Sequence, residues 1–449
     1  MADILTGIQN TVWGIPLIAL LLLTGLNYTI LLRGLQFRRF GHGLWLAFVR
    51  RKEEGGEGEG DVSHYQALMT ALASTVGIGN IVGVATALGA GGPGALFWMW
   101  VAGLLGMATK YAEAVLGVRF RETDQRGEKA GGPMYYLEHG LGGGRLGRVL
   151  AVSFAAFAAA AAFGIGNAVQ SQAVASALHD SFGVAKWLTG VVVAVGVGAV
   201  VLGGIRSIGR FVGVFVPVMI LLYLTGAGLL LILNAEQVPA ALRLVFDNAF
   251  GGRAAAGGAL GYTVLQAVRF GVARGIFSNQ AGLGTGGIAA AAAQTREPVR
   301  QALVSMTGTF IDTIVISTFT GLAILSTGAF ESGRGGANMA QLAFEMGLPG
   351  GIGGGFVAVA LTLFAFSTMI GWSYYGERSF AYLAGERSIG PYRFVFVLVV
   401  GFSAVIDLDT VWLVSDILNA LMAAPNLLGL LLLSGIVRRE TRLYFSRKM

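Results

Sequence analysis

The sequence predicts an all-α polytopic membrane protein with eleven transmembrane helices, and three observations carry that prediction. Only 12% of the 449 residues are charged, while 55% are hydrophobic. A soluble domain carries about 25% charged residues, so too little charge remains here to cover a water-facing surface. That excludes a soluble globular enzyme and equally a disordered chain. Second, eleven apolar segments match the roughly 20 residues a helix needs to cross a bilayer. Third, 24 of the 31 Lys and Arg residues fall in alternate loops and the C-terminal tail, against 4 in the other loops and 3 inside segments.

The segments run over 12–33, 67–89, 94–118, 148–178, 186–203, 208–233, 259–290, 300–327, 352–377, 392–407 and 410–437. Their continuous apolar length excludes a β-barrel, which shows short alternating strands. The first is preceded by MADILTGIQN. With no basic n-region, it reads as a retained span and not a cleaved signal. The Lys and Arg alternation follows the positive-inside rule. It places the C-terminus in the cytoplasm and, with an odd number of spans, the N-terminus outside. The net charge of +7 is then topological and does not imply nucleic-acid binding. The stretch EEGGEGEGD (53–61) reads as a solvated linker, and the whole chain as one transmembrane domain.

The absence of cysteine excludes disulfides, thiol nucleophiles and Cys-ligated metals. His42, His64, His139 and His179 all lie off the centres of the strongly apolar runs, which argues against an intramembrane haem. No cofactor is expected.

The 70 glycines allow close helix packing, helix breaks, or both. Two spans have polar, Gly-punctuated centres. Span 2 carries Gly77, Gly79, Asn80 and Gly83; span 7 carries Gly271, Gly275, Gly282 and Gly284 around Ser278, Asn279 and Gln280. An unwound helix in lipid frees backbone groups that protein, water or ligand must satisfy. Half-helix N-termini then suit a carboxylate, and freed carbonyls a cation. Five spans begin at each break, so the second set enters from the opposite side. The prediction is a five-plus-five inverted repeat, spans 2–6 (63–235) and 7–11 (255–437), with residues 1–62 peripheral. Matching broken spans point to a transporter site.

These residues resemble a known family. LQFRRFGHGL (35–44), VGIGNIVGVATALGAGGPGALFWMW (76–100), GGPMYYLEHGLG (131–142), GIGNAVQSQAVA (164–175), ARGIFSNQAGLG (273–284) and FSTMIGWSYYGER (366–378) together resemble the alanine or glycine:cation symporters of prokaryotes. Those proteins belong to the superfamily with the leucine-transporter fold. The resemblance covers nearly the whole chain. It implies a multi-pass protein of the prokaryotic cell (inner) membrane that moves a small neutral amino acid inward with a cation. The chain departs from the family at Gln280, where Glu is common, at TGGIAAAAA (285–293), and at Gln172, where Asn is common. These departures bear on substrate preference and gating.

A zwitterion needs positive partial charge at its carboxylate and acceptors at its ammonium. The span 2 break offers N–H groups at Gly77, Ile78 and Gly79; span 7 offers carbonyls around Gly275, Ile276 and Phe277. Asn167 and Gln170 on span 4 can line the cavity. The resemblance implies Thr75, Asn80, Thr368 and Trp372 as substrate contacts. Thr368 and Trp372 share a helix face at i, i+4, and a Trp there fills space and favours a small side chain. The resemblance also implies a Na⁺ site at the carbonyls of Ala73, Val76 and Phe364 and the hydroxyls of Ser367 and Thr368. The resemblance further implies Na⁺ over H⁺: proton-coupled relatives often place a lysine near this site from the helix matching span 6, and residues 211–233 hold no Lys or Arg. Among the intramembrane charges, Lys110 and Glu113 are spaced to neutralise each other. Asp312 has no local partner and is open to pairing with Arg269 or Arg274.

The expected function is sodium-coupled symport of alanine or glycine, with Na⁺, the amino acid and the lipid bilayer as partners. Proton coupling and a non-transporting sensor or channel remain as alternatives. A membrane enzyme has little here to carry chemistry. The residues assign no oligomeric state.

Overall fold

The computed structural model describes residues 2–50, 59–250, 264–406 and 409–447, and these are almost wholly helical. Most of the 53–61 linker, the first residues of segment 7 and the end of segment 10 lie outside the described residues. Ala2–Val12 (α1) precedes Ile15–Leu31 (α2), which starts where Pro16 fits the first helical turn. Then come His64–Thr75 (α3), Val82–Gly91 (α4), Ala95–Arg119 (α5), Arg145–Phe163 (α6) and Val169–Phe182 (α7). Lys186–Val201 (α8) and Gly204–Leu233 (α9) follow. Beyond the undescribed stretch lie Val264–Asn279 (α10), Thr285–Ala291 (α11), Pro298–Thr309 (α12), Ser317–Ser326 (α13) and Gly353–Ala384 (α14). Ile389–Ser403 (α15), Asp409–Leu432 (α16) and Ser434–Ser446 (α17) complete the chain.

Seven helices among the described residues are long and apolar enough to cross a membrane, and α3 with the helix after it forms an eighth, bent by 62°. Two of the seven span a single π-helical turn: Gly164–Ala168 joins α6 to α7, and Phe310–Ile316 joins α12 to α13. Such turns expand the helix locally and are frequent at functional sites. A short hairpin, Glu122–Thr123 (β1) with Lys129–Ala130 (β2), is antiparallel with Glu122 opposite Ala130. It follows α5.

Outward faces are apolar. On α9, Val214, Val218 and Leu221 are exposed and lie on one stripe, as a lipid-facing surface requires. Inside, the glycines let backbones meet. A Cβ on Gly117 of α5 would lie 2.4 Å from the Gly287 carbonyl oxygen of α11, and one on Gly271 of α10 would lie 2.3 Å from that of Ala95. Gly83 has nothing within 4 Å. Gly117→Ala must therefore push two backbones apart, an overpacking cost of about 1–3 kcal/mol. Gly83→Ala should not. The expected result is a clear drop in the detergent unfolding temperature for the first variant and little change for the second; equal midpoints would contradict this packing role.

Candidate functional site

The first break begins where α3 stops. Val76 turns to an extended conformation (ψ 93°), Gly77 is extended, and one 3₁₀ turn, Ile78–Asn80, leads into α4. Asn80 organises this junction. Its Oδ1 accepts the Gly77 N–H at 3.0 Å, and its Nδ2 donates to Asp312 Oδ1 at 2.9 Å and to the Asp312 carbonyl at 3.0 Å.

The second break separates α10 from α11. Gln280, Gly282 and Gly284 have φ of 57°, 92° and 85°. For the glycines this costs little; for Gln280 it is uncommon. Its side chain is held at both ends. Nε2 donates to the Ser74 carbonyl at 2.7 Å, and Oε1 accepts from Thr285 Oγ1 at 2.8 Å. Gln280 thus ties the second break to the first. Below it, Glu113 Oε1 accepts the N–H groups of Gly282 and Gly284, each at 2.9 Å, and Asn426 Nδ2 at 3.0 Å. Lys110 Nζ donates to the Gln280 carbonyl at 3.3 Å and lies 3.9 Å from Glu113 Oε2. The two charges hold the broken span together, as well as neutralising each other.

Asp312 is fully buried in the π-turn. Its carboxylate accepts from Asn80, from Ser278 Oγ at 2.8 Å and from Thr313 Oγ1 at 2.8 Å. The expectation of no local partner is corrected, and so is its pairing with an arginine. Arg274 lies 3.6 Å from Asp416 Oδ2, and Arg269 donates to Asn10 Oδ1 at 2.6 Å. The π-turn aims Asp312 at both breaks, and the two arginines lie toward α1 and α16.

Between the breaks is a cavity of about 20 Å³, where one water needs about 10–15 Å³. Thr75, Gly77, Gly79, Gln170, Phe277, Thr368 and Trp372 line it together. Ile78 instead lines a neighbouring vestibule of about 410 Å³. Asn80, Gly275 and Ile276 line neither. Asn80 is spent on Asp312, Gly275 packs against Met99 and Ala102, and the Ile276 carbonyl accepts the Gln280 N–H at 2.7 Å. The helix break falls after Asn279, so the carbonyls of 275 and 276 stay within α10. Asn167 is buried and donates to the Phe396 carbonyl. Phe277 is common to cavity and vestibule. It stacks at 6.3 Å on Trp412, with the Arg274 guanidinium 5.4 Å from its ring.

Among the described residues, two amide oxygens in the cavity wall have no hydrogen-bond partner: Gln170 Oε1 and Asn419 Oδ1. Gln170 is oriented by its Nε2, which donates to the Ile165 carbonyl at 3.0 Å. Asn419 escaped the sequence reading; its signal is an amide inside the apolar run of span 11, which also holds Asn426. Trp372 enters the wall because Gly166 has no side chain: a Cβ there would lie 2.3 Å from Trp372 Cβ.

The predicted cation ligands also meet. Ser367 Oγ lies 3.2 Å from the Ala73 carbonyl, 3.4 Å from that of Val76 and 2.8 Å from that of Phe364. Thr368 Oγ1 lies 3.4 Å from the Val76 carbonyl and 2.9 Å from that of Phe364. Five neutral oxygens thus converge where α3 unwinds against α14. On the far side from the vestibule, Arg378 pairs with Asp124 at 2.7 Å and with Glu128, and Arg393 is bidentate on Glu377 at 2.5 and 2.8 Å.

Comparisons with known proteins agree with this architecture. The crystal structure of MhsT in complex with L-phenylalanine shares the fold, with a TM-score of 0.59 over 82% of this chain and 89% of that one, at 16% identity. The sodium/alanine symporter AgcS of Methanococcus maripaludis is 49% identical over 97% of this chain and 96% of its own length. The probable sodium/glutamine symporter GlnT of Bacillus subtilis is 35% identical over 99% of this chain and 91% of its own. Residues 1–449 match the sodium:alanine symporter family, whose members are transporters and not enzymes. The chain belongs to the sodium:alanine symporter family.

Proposed function

We propose that this transporter carries a small neutral amino acid, alanine or glycine, into the cell together with Na⁺. It crosses the membrane eleven times, with spans 2–6 and 7–11 as inverted repeats, N-terminus outside and C-terminus in the cytoplasm. The observation that carries the reading is the convergence of the Ser367 and Thr368 hydroxyls on the carbonyls of Ala73, Val76 and Phe364. Hard cations take oxygen ligands, and unwound helix carbonyls supply them to Na⁺ in transporters of this kind.

Sodium there pins the end of α3 to α14 and so fixes Gly77 beside Thr368. A Cβ on Gly77 would lie 2.4 Å from Thr368 Oγ1, so the ion and the substrate pocket share that contact. The amino-acid carboxylate faces the N–H groups of Ile78 and Gly79, since that of Gly77 is taken by Asn80 Oδ1. Its ammonium faces the oxygens of Gln170 and Asn419, which lack other partners among the described residues. Thr75 borders the same pocket. Trp372 closes the space where a longer side chain would extend. The vestibule is the outer entrance and Phe277 its inner door; the Arg378 and Arg393 pairs close the cytoplasmic side. Rocking one part of the fold against the other exchanges these closures.

The Gln280 amide donates to Ser74 without taking up a proton, which favours Na⁺ as the coupling ion. Gln280→Glu can donate there only when protonated. Its uptake should therefore rise as pH falls, while the parent stays flat across the same range. A flat profile for the variant would remove Gln280 from this role.

The test of the whole reading is uptake of a labelled amino-acid panel into proteoliposomes, with and without an inward Na⁺ gradient. Na⁺-driven accumulation of alanine or glycine over larger amino acids is expected. Accumulation driven by H⁺ in Na⁺-free vesicles, or none under any gradient, would overturn it.

A further inference from the structure

Between the end of α2 and the C-terminal helix α17 lies a cavity of about 490 Å³ that shares no lining residue with the vestibule or the central cavity. Five arginines line it: Arg33, Arg38, Arg39, Arg438 and Arg442. Among the described residues, no acidic one does. Glu440, their neighbour in sequence, is turned to Arg119 at 3.3 Å and Arg439 at 3.7 Å. None of the five forms an ion pair with a carboxylate among the described residues. Arg39 is held by the Phe445 ring, 4.8 Å from its guanidinium.

The positive-inside rule accounts for the side of the membrane on which these charges lie. It does not account for their convergence. They come from the two ends of the chain and meet around one hollow, where like charges repel unless an anion joins them. The guanidinium fork matches phosphate oxygens two at a time. The remaining wall is apolar, with Leu31, Leu32 and Phe445. Ile30, Phe37, Leu432 and Leu443 are exposed nearby in sequence, as in the band that meets acyl chains. The ligand chemistry is therefore a phosphate group carried on an apolar tail, at the level where the hydrocarbon belt ends. Basic pockets at that level take anionic headgroups.

We propose that this cavity binds the phosphate headgroup of an anionic membrane lipid. The test uses the full-length protein in detergent and native mass spectrometry, with dioleoylphosphatidylglycerol and dioleoylphosphatidylcholine as probes. The parent should retain the anionic lipid in preference to the zwitterionic one. The pair Arg38→Gln and Arg442→Gln should weaken phosphatidylglycerol binding by roughly tenfold or more, leaving phosphatidylcholine unchanged. The pair Arg38→Lys and Arg442→Lys keeps the charge and the topology signal but loses the fork, and should fall between. If the Gln pair does not fold, the parent alone decides. Phosphatidylglycerol should raise its unfolding temperature, and equal inorganic phosphate should not. Equal retention of both lipids, or undiminished phosphatidylglycerol binding by a folded Gln pair, would overturn the proposal. So would equal stabilisation by inorganic phosphate, which would mark a site for a soluble anion.

Discussion

Thr368→Ala is expected to weaken sodium binding and amino-acid binding together, each by roughly tenfold to a hundredfold. That range corresponds to losing one contact to a charged group, about 1.5–3 kcal/mol. The hydroxyl stands between the two sites. It lies 2.9 Å from the Phe364 carbonyl and 3.4 Å from that of Val76, on the cation side. It also borders the central cavity, against Gly77. Ser367→Ala removes the neighbouring hydroxyl, which lies outside the cavity wall. It should impair Na⁺ binding directly and the amino acid only through Na⁺. Saturating sodium should therefore rescue alanine affinity in Ser367→Ala and not in Thr368→Ala. The check is alanine binding to purified protein across a sodium titration. Rescue of both variants alike would separate Thr368 from the substrate.

Glu113→Ala should be the most damaging single change in the core. The carboxylate is fully buried and answers three donors at once: the amides of Gly282 and Gly284 and the Asn426 side chain. Removing it orphans these donors and leaves Lys110 buried without its counter-charge. Breaking one partner of a buried pair costs about 3–5 kcal/mol. The expected result is loss of folded protein from the membrane fraction, or folded protein without uptake. The double variant Lys110→Met with Glu113→Gln removes both charges and keeps an oxygen for the glycine amides. It should recover folded protein beyond Glu113→Ala. Monodisperse Glu113→Ala with parental uptake would show that the second break does not depend on this cap.

Much of this site was legible because it rests on local chemistry. Gly-punctuated centres marked both breaks, since only glycine takes the φ seen at 282 and 284 at little cost. The i, i+4 spacing of Thr368 and Trp372 put both on one cavity wall. The five oxygens proposed as cation ligands came from the resemblance, and the fold brings them together at hydroxyl–carbonyl contacts of 2.8–3.4 Å. What was not legible depends on how one helix turns against another. Asp312 reaches Asn80 across 232 residues because a π-turn rotates it inward, and no periodicity announces a π-turn. Asn80 itself read as a substrate contact; its side chain bonds Gly77 and Asp312 and lies outside the cavity wall. Arg274 found Asp416, a residue on α16, which packs against α1, where Gln9 also donates to that carboxylate at 2.7 Å. Asn419 shows the same limit: a polar residue in an apolar run is visible, but the cavity it borders is made by four other helices.

The central claim is that sodium and the amino acid meet at the unwound end of α3 and stabilise one another. Coupling between two binding sites is reciprocal. The most direct measurement is calorimetric titration of alanine at several sodium concentrations, and of sodium with and without alanine. Sodium should raise alanine affinity by some factor, and alanine should raise sodium affinity by the same factor. Alanine affinity that is indifferent to sodium would contradict the account.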